Sequence, residues 1–192
     1  VLYNTTVNRA YLEAHQPDVV VLATGAVPKT LPFGQSLAHV NIVQGNDVLM
    51  NQAEVGERVA VIGGRFIGME VACKLAEAGK DVAGIDMAGI AQGTNPYLAK
   101  YYKQKLVADG VRLYPNTPVL DITDAGVEVL YLDFPAAVAC DTVVLAIGTK
   151  SVNSLADDCH ELGIECLPIG DAKRIGDALY AVRDGAEIAR LI

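Results

Sequence analysis

The chain has 192 residues, enough for one or two domains with their own hydrophobic cores. It carries 15 basic against 23 acidic side chains, a net charge of -8, and no basic run, which argues against a nucleic acid as partner. The apolar runs are far shorter than the roughly 20 residues that cross a bilayer, and the first ten residues lack the pattern of a signal peptide, so we expect a cytoplasmic protein without a membrane partner.

The cysteines do not suggest a redox or metal site. The chain has four of them, and no two form a C-x-x-C pair. They are Cys73, Cys140, Cys159 and Cys166. Such isolated cysteines favour reduced thiols in a reducing compartment over a redox dithiol or a zinc site.

The first quarter of the chain predicts short elements separated by turns. Residues 1–7, VLYNTTV, have the pattern of a short strand, and residues 8–15 can form a brief helix. Residues 19–23 predict a buried strand that stops at Thr24-Gly25. The prolines and glycine between positions 28 and 34 then predict an irregular segment.

Residues 58–79, RVAVIGGRFIGMEVACKLAEAG, predict a strand, a glycine turn and a helix. The continuous apolar run 59–62 is typical of a central parallel strand, and Gly63-Gly64 interrupts it. A helical pattern runs from about Arg65 to Gly79. Such a helix points its positive end and its free N–H groups at an anion.

The turn departs from the dinucleotide-binding fingerprint G-x-G-x-x-G at one position. With Gly63 first and Gly68 last, the middle residue is Arg65. The glycine at that position lets a pyrophosphate approach the backbone. The Arg65 side chain either turns away from the backbone and binds the phosphates, or it occupies the phosphate site itself. The sequence leaves both alternatives open.

A second apolar strand, residues 82–85, ends on Asp86. This acid follows Gly68, the last glycine of the turn, by ~20 residues. At that separation a carboxylate meets the ribose hydroxyls of a dinucleotide. Strand, turn, helix, second strand and acid in this order predict a nucleotide-binding βαβ unit. The alternative for Asp86 is a turn residue at the end of a strand.

The second half predicts further α/β structure. Asn95-Pro96 marks the start of a helix that runs to about Ala108. Residues 111–114 predict a strand, and residues 119–140 an antiparallel meander. Residues 142–147 predict a buried strand that stops at Gly148.

The last segment predicts a strand over residues 165–169, then Gly170-Asp171 and a closing helix with one apolar face. Asp171 is either a ligand for a sugar hydroxyl or a helix N-cap.

Two parts of the chain resemble each other. VVVLATGAVPK at 19–29 is similar to TVVLAIGTKSV at 142–152, and VLYNTTV at 1–7 is similar to VRLYPNTPV at 111–119. A complete βαβ unit precedes the second copy, whereas nothing precedes the first. We therefore expect a fragment in which the first nucleotide domain lacks its opening βαβ.

This repeat, with PDVVVLATGAVPK, GERVAVIGG, GMEVACKLAEAGKDV and IGDA, resembles the pyridine nucleotide-disulfide oxidoreductase fold. It is most similar to the C-terminal region of the NADH:flavin oxidoreductases related to 2,4-dienoyl-CoA reductase. The resemblance implies an α/β, Rossmann-like three-layer (β/β/α) two-dinucleotide-binding fold. Residues 51–148 would form the NAD(P)-binding domain, inserted into a partial FAD- or ADP-binding domain of residues 1–50 and 149–192.

The resemblance also implies the site residues. In the first domain, Thr24, Gly25, Gly170 and Asp171 would lie at FAD or ADP, with Asp171 on the ribityl chain. In the second, NAD(H) would contact Gly63, Gly64, Arg65, Phe66, Ile67, Gly68, Glu70, Asp86 and Gly148. Asp86 would favour NAD(H) over NADP(H), because a carboxylate repels a 2′-phosphate. Glu70 would face the nicotinamide, or it is a solvated helix carboxylate.

Members of this group pass electrons between NAD(P)H and a flavin, usually FMN on an N-terminal barrel beside a 4Fe–4S cluster. The expected partners are therefore that barrel and the missing first βαβ of the same polypeptide. The predicted function is the nucleotide-binding fragment of a flavin-dependent NADH oxidoreductase, inactive alone and without catalytic residues of its own. The alternative is a degenerate module with a structural or docking role, blocked by Arg65.

Overall fold

A computed structural model describes residues 1–34 and 37–192, and it is a mixed α/β structure. The helices are α1 (Arg9–His15), α2 (Gly45–Leu49), α3 (Phe66–Glu77), α4 (Pro96–Ala108), α5 (Leu155–Glu161) and α6 (Ala178–Ile188). The strands are β1 (Val19–Leu22), β2 (Ala26–Pro28), β3 (Asn41–Gln44), β4 (Arg58–Ile62), β5 (Asp81–Ile85), β6 (Arg112–Tyr114), β7 (Val119–Thr123), β8 (Gly126–Tyr131), β9 (Phe134–Val138), β10 (Thr142–Leu145), β11 (Thr149–Ser151) and β12 (Glu165–Pro168). Within the described ranges, no helix combines the length and the apolar character that crossing a membrane requires.

The chain forms two compact units, one of Val1–Val27 with Thr149–Ile192 and one of Pro28–Gly148. The sequence placed the first boundary at residue 51, whereas the second unit begins at Pro28. The reason is β3, which pairs in parallel with β10, Ile42 opposite Val143. A strand whose backbone groups are satisfied by a sheet belongs to that sheet's unit.

The unit of residues 28–148 is built on a five-stranded parallel sheet in the order β3-β10-β4-β5-β6. The predicted neighbours β4 and β5 are hydrogen-bonded in parallel, with Val61 opposite Gly84 and Ile62 opposite Ile85. This arrangement confirms the predicted βαβ unit, because a parallel pair needs a crossover helix between its strands. That helix is α3.

Alternate residues of the sheet face two different layers. Val59, Val61 and Val82 belong to a core shared with α3 and α4, whereas Ile62 and Ile85 belong to a second core. The second core is completed by the antiparallel sheet β7-β8-β9, which confirms the predicted meander. Helices, parallel sheet and antiparallel sheet therefore form the three layers that the family resemblance implied.

Lys74 of α3 holds the end of α2 with three hydrogen bonds. Its Nζ donates to the carbonyl oxygens of Val48 and Leu49, at 2.8 and 3.0 Å, and to Oδ1 of Asn51 at 2.7 Å. Two of these acceptors are carbonyls at the C-terminus of α2, where no further helical turn supplies donors, although the Val48 carbonyl also accepts the Asn51 N–H at 3.2 Å. The ammonium group therefore acts as a C-terminal cap from a neighbouring helix.

We expect Lys74→Met to lower the free energy of unfolding by about 2 kcal/mol, because methionine keeps most of the apolar stem but removes the charged donor. Urea denaturation followed by circular dichroism measures this. Lys80→Met is the matched control, since Lys80 forms an ion pair with Glu57, whose side chain is 80% exposed. Such a surface pair contributes about 0–1 kcal/mol. Equal losses for the two variants would contradict the capping role.

The unit of residues 1–27 and 149–192 has two small sheets of two strands each. Strands β1 and β12 pair in parallel, and the short strands β2 and β11 pair with each other. Helices α1 and α5 are joined by Arg9, whose guanidinium bonds Glu161 and lies 3.5 Å from Asp158. Leu12 and Cys159 are buried in this layer.

Three sequence expectations about this unit differ from the structure. Residues 1–7 are not a strand, since no partner strand for them exists within the described residues, and Tyr3 is 82% exposed. A single strand cannot satisfy its own backbone groups. Likewise β1 is only partly buried, with Val21 at 37% exposure. The closing helix begins at Ala178, and its predicted apolar face is exposed, Leu179 by 72%.

Candidate functional site

The glycine turn between β4 and α3 requires residues without a side chain. Gly63 has φ +114°, and a Cβ there would lie 2.3 Å from the carbonyl oxygen of Ala146. A Cβ on Gly68 would lie only 1.7 Å from the carbonyl oxygen of Gly63. The first turn of α3 is therefore pressed directly on the backbone of the parallel sheet.

Helix α3 begins at Phe66, with Arg65 as its N-cap. The Arg65 side chain makes no capping hydrogen bond, so the N–H groups of the first turn keep their donor capacity. These groups and the positive end of the helix dipole form a site suited to an anion such as a pyrophosphate. Phe66 is 40% exposed at this end, whereas Ile67 packs towards Gly45 at the start of α2.

Asp86 ties the end of β5 to the glycine turn. Its Oδ2 accepts the Gly64 N–H at 2.5 Å, and its Oδ1 accepts the Ala88 N–H at 2.6 Å. The turn is fixed further by the Gly63 N–H, which donates to the carbonyl oxygen of Ile85 at 2.8 Å. Each carboxylate oxygen of Asp86 retains one lone pair for a hydroxyl group. The structure thus brings Asp86 to the glycine turn and gives it a structural role as well.

Arg65 is exposed, and its side chain extends towards the loop that follows Asp86. Its Nη2 lies 3.5 Å from the position that a Cβ on Gly93 would take. Within residues 1–34 and 37–192, no ion pair of Arg65 is found.

Glu70 lies one turn into α3, on an exposed part of the helix. The Tyr102 hydroxyl of α4 donates to its Oε1 at 3.3 Å. Partial burial raises the pKa of Tyr102, and the nearby Glu70 carboxylate raises it further. Tyr102 was not identified as a site residue from the sequence. It lies within the helix predicted from Asn95-Pro96 to about Ala108, and no motif there linked it to Glu70.

Gly148 follows β10 with φ +89°, and its carbonyl oxygen accepts the Lys29 N–H at 2.9 Å. Its counterpart in the repeat is Gly25, which has φ +71° after β1. The Gly25 carbonyl accepts the Val152 N–H at 2.9 Å, and the Thr24 hydroxyl donates to the Val152 carbonyl. Both look-alike segments are therefore a parallel strand followed by a left-handed glycine.

Gly170 and Asp171 form a 3₁₀ turn after β12. The Gly170 N–H donates to Oδ2 of Asp184 at 3.1 Å, and Asp171 Oδ1 accepts the Gly176 N–H at 3.0 Å. Asp171 is not the N-cap of α6, because Asp177 has that role and accepts the Tyr180 N–H. Asp184 lies inside the closing helix and carried no signal in the sequence that linked it to Gly170.

The four cysteines are free thiols in the structure. Burial raises the pKa of Cys140 to about 11 and is the main cause of a similar pKa for Cys166, which also lies against Cys159. A raised pKa keeps a thiol protonated at neutral pH, and the thiolate is the reactive form. Cys140 and Cys166 are therefore poorly suited to nucleophilic chemistry.

Comparisons with known proteins agree with this fold. Residues 4–175 match the family model described as pyridine nucleotide-disulphide oxidoreductase. The NADH oxidase of Thermoanaerobacter brockii is 32% identical over an alignment of 193 positions, which covers 96% of this chain and 29% of that protein. The cinnamate reductase of Clostridium sporogenes is 27% identical, with 98% and 29% covered.

A structure of 2-naphthoyl-CoA reductase superposes with a TM-score of 0.80 at 24% identity, covering 98% of this chain and 29% of that one. At this identity the likeness shows the fold alone. The chain spans less than a third of the length of each of these three proteins.

Proposed function

The chain belongs to the pyridine nucleotide-disulphide oxidoreductase family, and on this premise we propose that it is the nucleotide-binding part of a flavin-dependent NADH oxidoreductase. Its task would be to position NAD(H) for hydride transfer to or from a flavin. The observation that carries this proposal is the glycine turn at α3, tied by Asp86 to the end of β5. That combination suits a nucleotide diphosphate and its ribose.

In the unit of residues 28–148, the first-turn N–H groups of α3 would bind the pyrophosphate. Asp86 would accept from the ribose hydroxyls with its remaining lone pairs, a contact that taken by itself favours NAD(H) over NADP(H). Gly148 would leave room for the nicotinamide end. Glu70, held by Tyr102, would face the reacting ring. The bound cofactor supplies the hydride, and these residues bind and orient it.

In the other unit, Thr24, Gly25, Gly170 and Asp171 would lie at FAD or ADP. The fit is incomplete, since the described residues of this unit supply only two parallel strands, β1 and β12. We propose that a first βαβ of the same polypeptide completes this domain, and that an N-terminal barrel carries FMN and a 4Fe–4S cluster. The chain alone would then be inactive, in a cytoplasmic setting.

Calorimetric titration of the chain with NADH, NAD⁺ and ADP tests the proposal. We expect saturable binding of NADH at one site per chain, because the phosphate and ribose subsites lie within one compact unit. Inorganic phosphate is the control for non-specific anion binding.

The alternative, a degenerate module blocked by Arg65, makes a different prediction for the same measurement. Binding would then occur only in Arg65→Gly. Absence of binding in both forms would contradict the nucleotide-binding function of the chain. In a longer protein that includes the barrel, absence of both bound flavin and NADH oxidation would contradict the enzymatic part.

A further inference from the structure

The guanidinium group of Arg65 differs from most others in the chain because no protein carboxylate faces it in the described residues. Four arginines do face a carboxylate, namely Arg9, Arg58, Arg112 and Arg183. The chain has a net charge of -8, so acidic partners are abundant. An arginine that stays free at the N-cap of α3 is therefore available to an external anion.

The direction of the Arg65 side chain indicates which part of a bound nucleotide it can reach. Nη2 of Arg65 lies 3.5 Å from the Cβ position of Gly93, in the loop that begins directly after Asp86. The carboxylate of Asp86 is bound to Gly64, the residue before Arg65. Arg65 and Asp86 thus lie at the same end of the sheet, yet no ion pair within 4.0 Å joins them in the described structure. A ribose held by Asp86 would have the guanidinium beside it.

Asp86 also repels a 2′-phosphate less strongly than a carboxylate without hydrogen-bond donors would. Both of its oxygens accept backbone N–H groups, from Gly64 and Ala88. Each of these donors places a partial positive charge against the carboxylate and offsets part of its field. The repulsion that would select NAD(H) is therefore reduced at its source.

We propose that Arg65 binds the 2′-phosphate of NADP(H), so that the site accepts phosphorylated and unphosphorylated cofactor with similar affinity. This inference rests on the proposed function, since it assigns a ligand group within the same nucleotide site. Arg65 supplies the cation that is missing between Asp86 and Lys100, where no lysine or arginine occurs. A planar guanidinium suits a phosphate because it can donate two parallel hydrogen bonds.

The test compares Arg65→Gln with the unmodified chain, by titration with NADH and NADPH. In the unmodified chain we expect the two dissociation constants to agree within about threefold. In Arg65→Gln we expect NADPH to bind about tenfold more weakly, because one charge-assisted contact to the 2′-phosphate is lost. The dissociation constant of NADH should change by less than about threefold. The pair 5′-AMP and 2′,5′-ADP, which differ only by the 2′-phosphate, should repeat this pattern.

The matched control is Arg190→Gln, which makes the same change in net charge at an exposed residue of the other unit. It should leave both affinities unchanged. Circular dichroism verifies that Arg65→Gln folds, as expected for an exposed side chain without a capping bond.

Other outcomes overturn the assignment. Equal weakening of NADH and NADPH in Arg65→Gln would place Arg65 at the pyrophosphate, and equal strengthening would make it an obstruction. If the unmodified chain bound NADH at least tenfold more tightly than NADPH, Asp86 alone would determine the cofactor preference. If NADH binds to neither form, the proposed function fails; if NADH binds and only the 2′-phosphate pattern is missing, this inference fails by itself.

Discussion

Gly68→Ala is expected to lower the free energy of unfolding by about 3 kcal/mol and to abolish NADH binding. The added methyl group would lie 1.7 Å from the carbonyl oxygen of Gly63, a contact that no rotamer can relieve. The start of α3 must therefore move away from β4, and the anion-binding N–H groups move with it. Urea denaturation followed by tyrosine fluorescence, in a chain with 8 tyrosines and no tryptophan, measures the stability.

The control for this substitution is Gly185→Ala. Gly185 is also a helical glycine, in α6, but a Cβ there would have no heavy atom within 4 Å. Alanine should stabilise this helix by about 0.5–1 kcal/mol, because glycine is the weaker helix former. A Gly68→Ala protein as stable as the unmodified chain would contradict the close helix–sheet contact.

Asp86→Ala is expected to lower the free energy of unfolding by about 3 kcal/mol and to weaken NADH binding at least tenfold. The substitution removes the acceptor of two backbone N–H groups, those of Gly64 and Ala88, in a partly buried position. The glycine turn loses its tie to β5 in the same step. Denaturation and NADH titration of the same protein separate the structural loss from the binding loss.

Two further variants help to separate the structural role of Asp86 in the turn from its role as a ribose ligand. Asp86→Asn keeps one acceptor oxygen, so its stability should lie between those of the alanine variant and the unmodified chain. Asp81→Ala, at the opposite end of β5, removes only an exposed ion pair with Arg112 and should cost about 0–1 kcal/mol. If Asp86→Ala loses stability but binds NADH normally, Asp86 is a structural turn residue and not a ribose ligand.

The βαβ unit of the parallel sheet could be predicted because local patterns determine it. The apolar run 59–62, the glycine turn and the second run 82–85 each specify their own backbone conformation, and the structure confirms β4, α3 and β5. The start of α4 followed from Asn95-Pro96, and Asn95 does accept the Tyr97 N–H. These features need no knowledge of distant residues.

The sequence-based predictions of secondary structure were wrong or incomplete where a neighbouring strand or helix determines the conformation of a segment. Residues 1–7 resemble residues 111–119, yet only the second segment contains a strand, β6, because β5 lies beside it. Helix α5 was not predicted, since its acidic, short segment has no clear apolar period. Strand β3 was also missed, and it is defined by its pairing with β10.

The sequence by itself determined the family, the α/β fold and the glycine turn with its unusual arginine, since these depend on short local patterns and on the order of those patterns along the chain. Only the tertiary structure decided that Asp86 bonds Gly64, that Tyr102 holds Glu70 and that Arg65 extends towards Gly93. These contacts join residues 22 or more positions apart, or depend on the direction of a long side chain. No local pattern encodes them, because packing of the whole unit sets the distances.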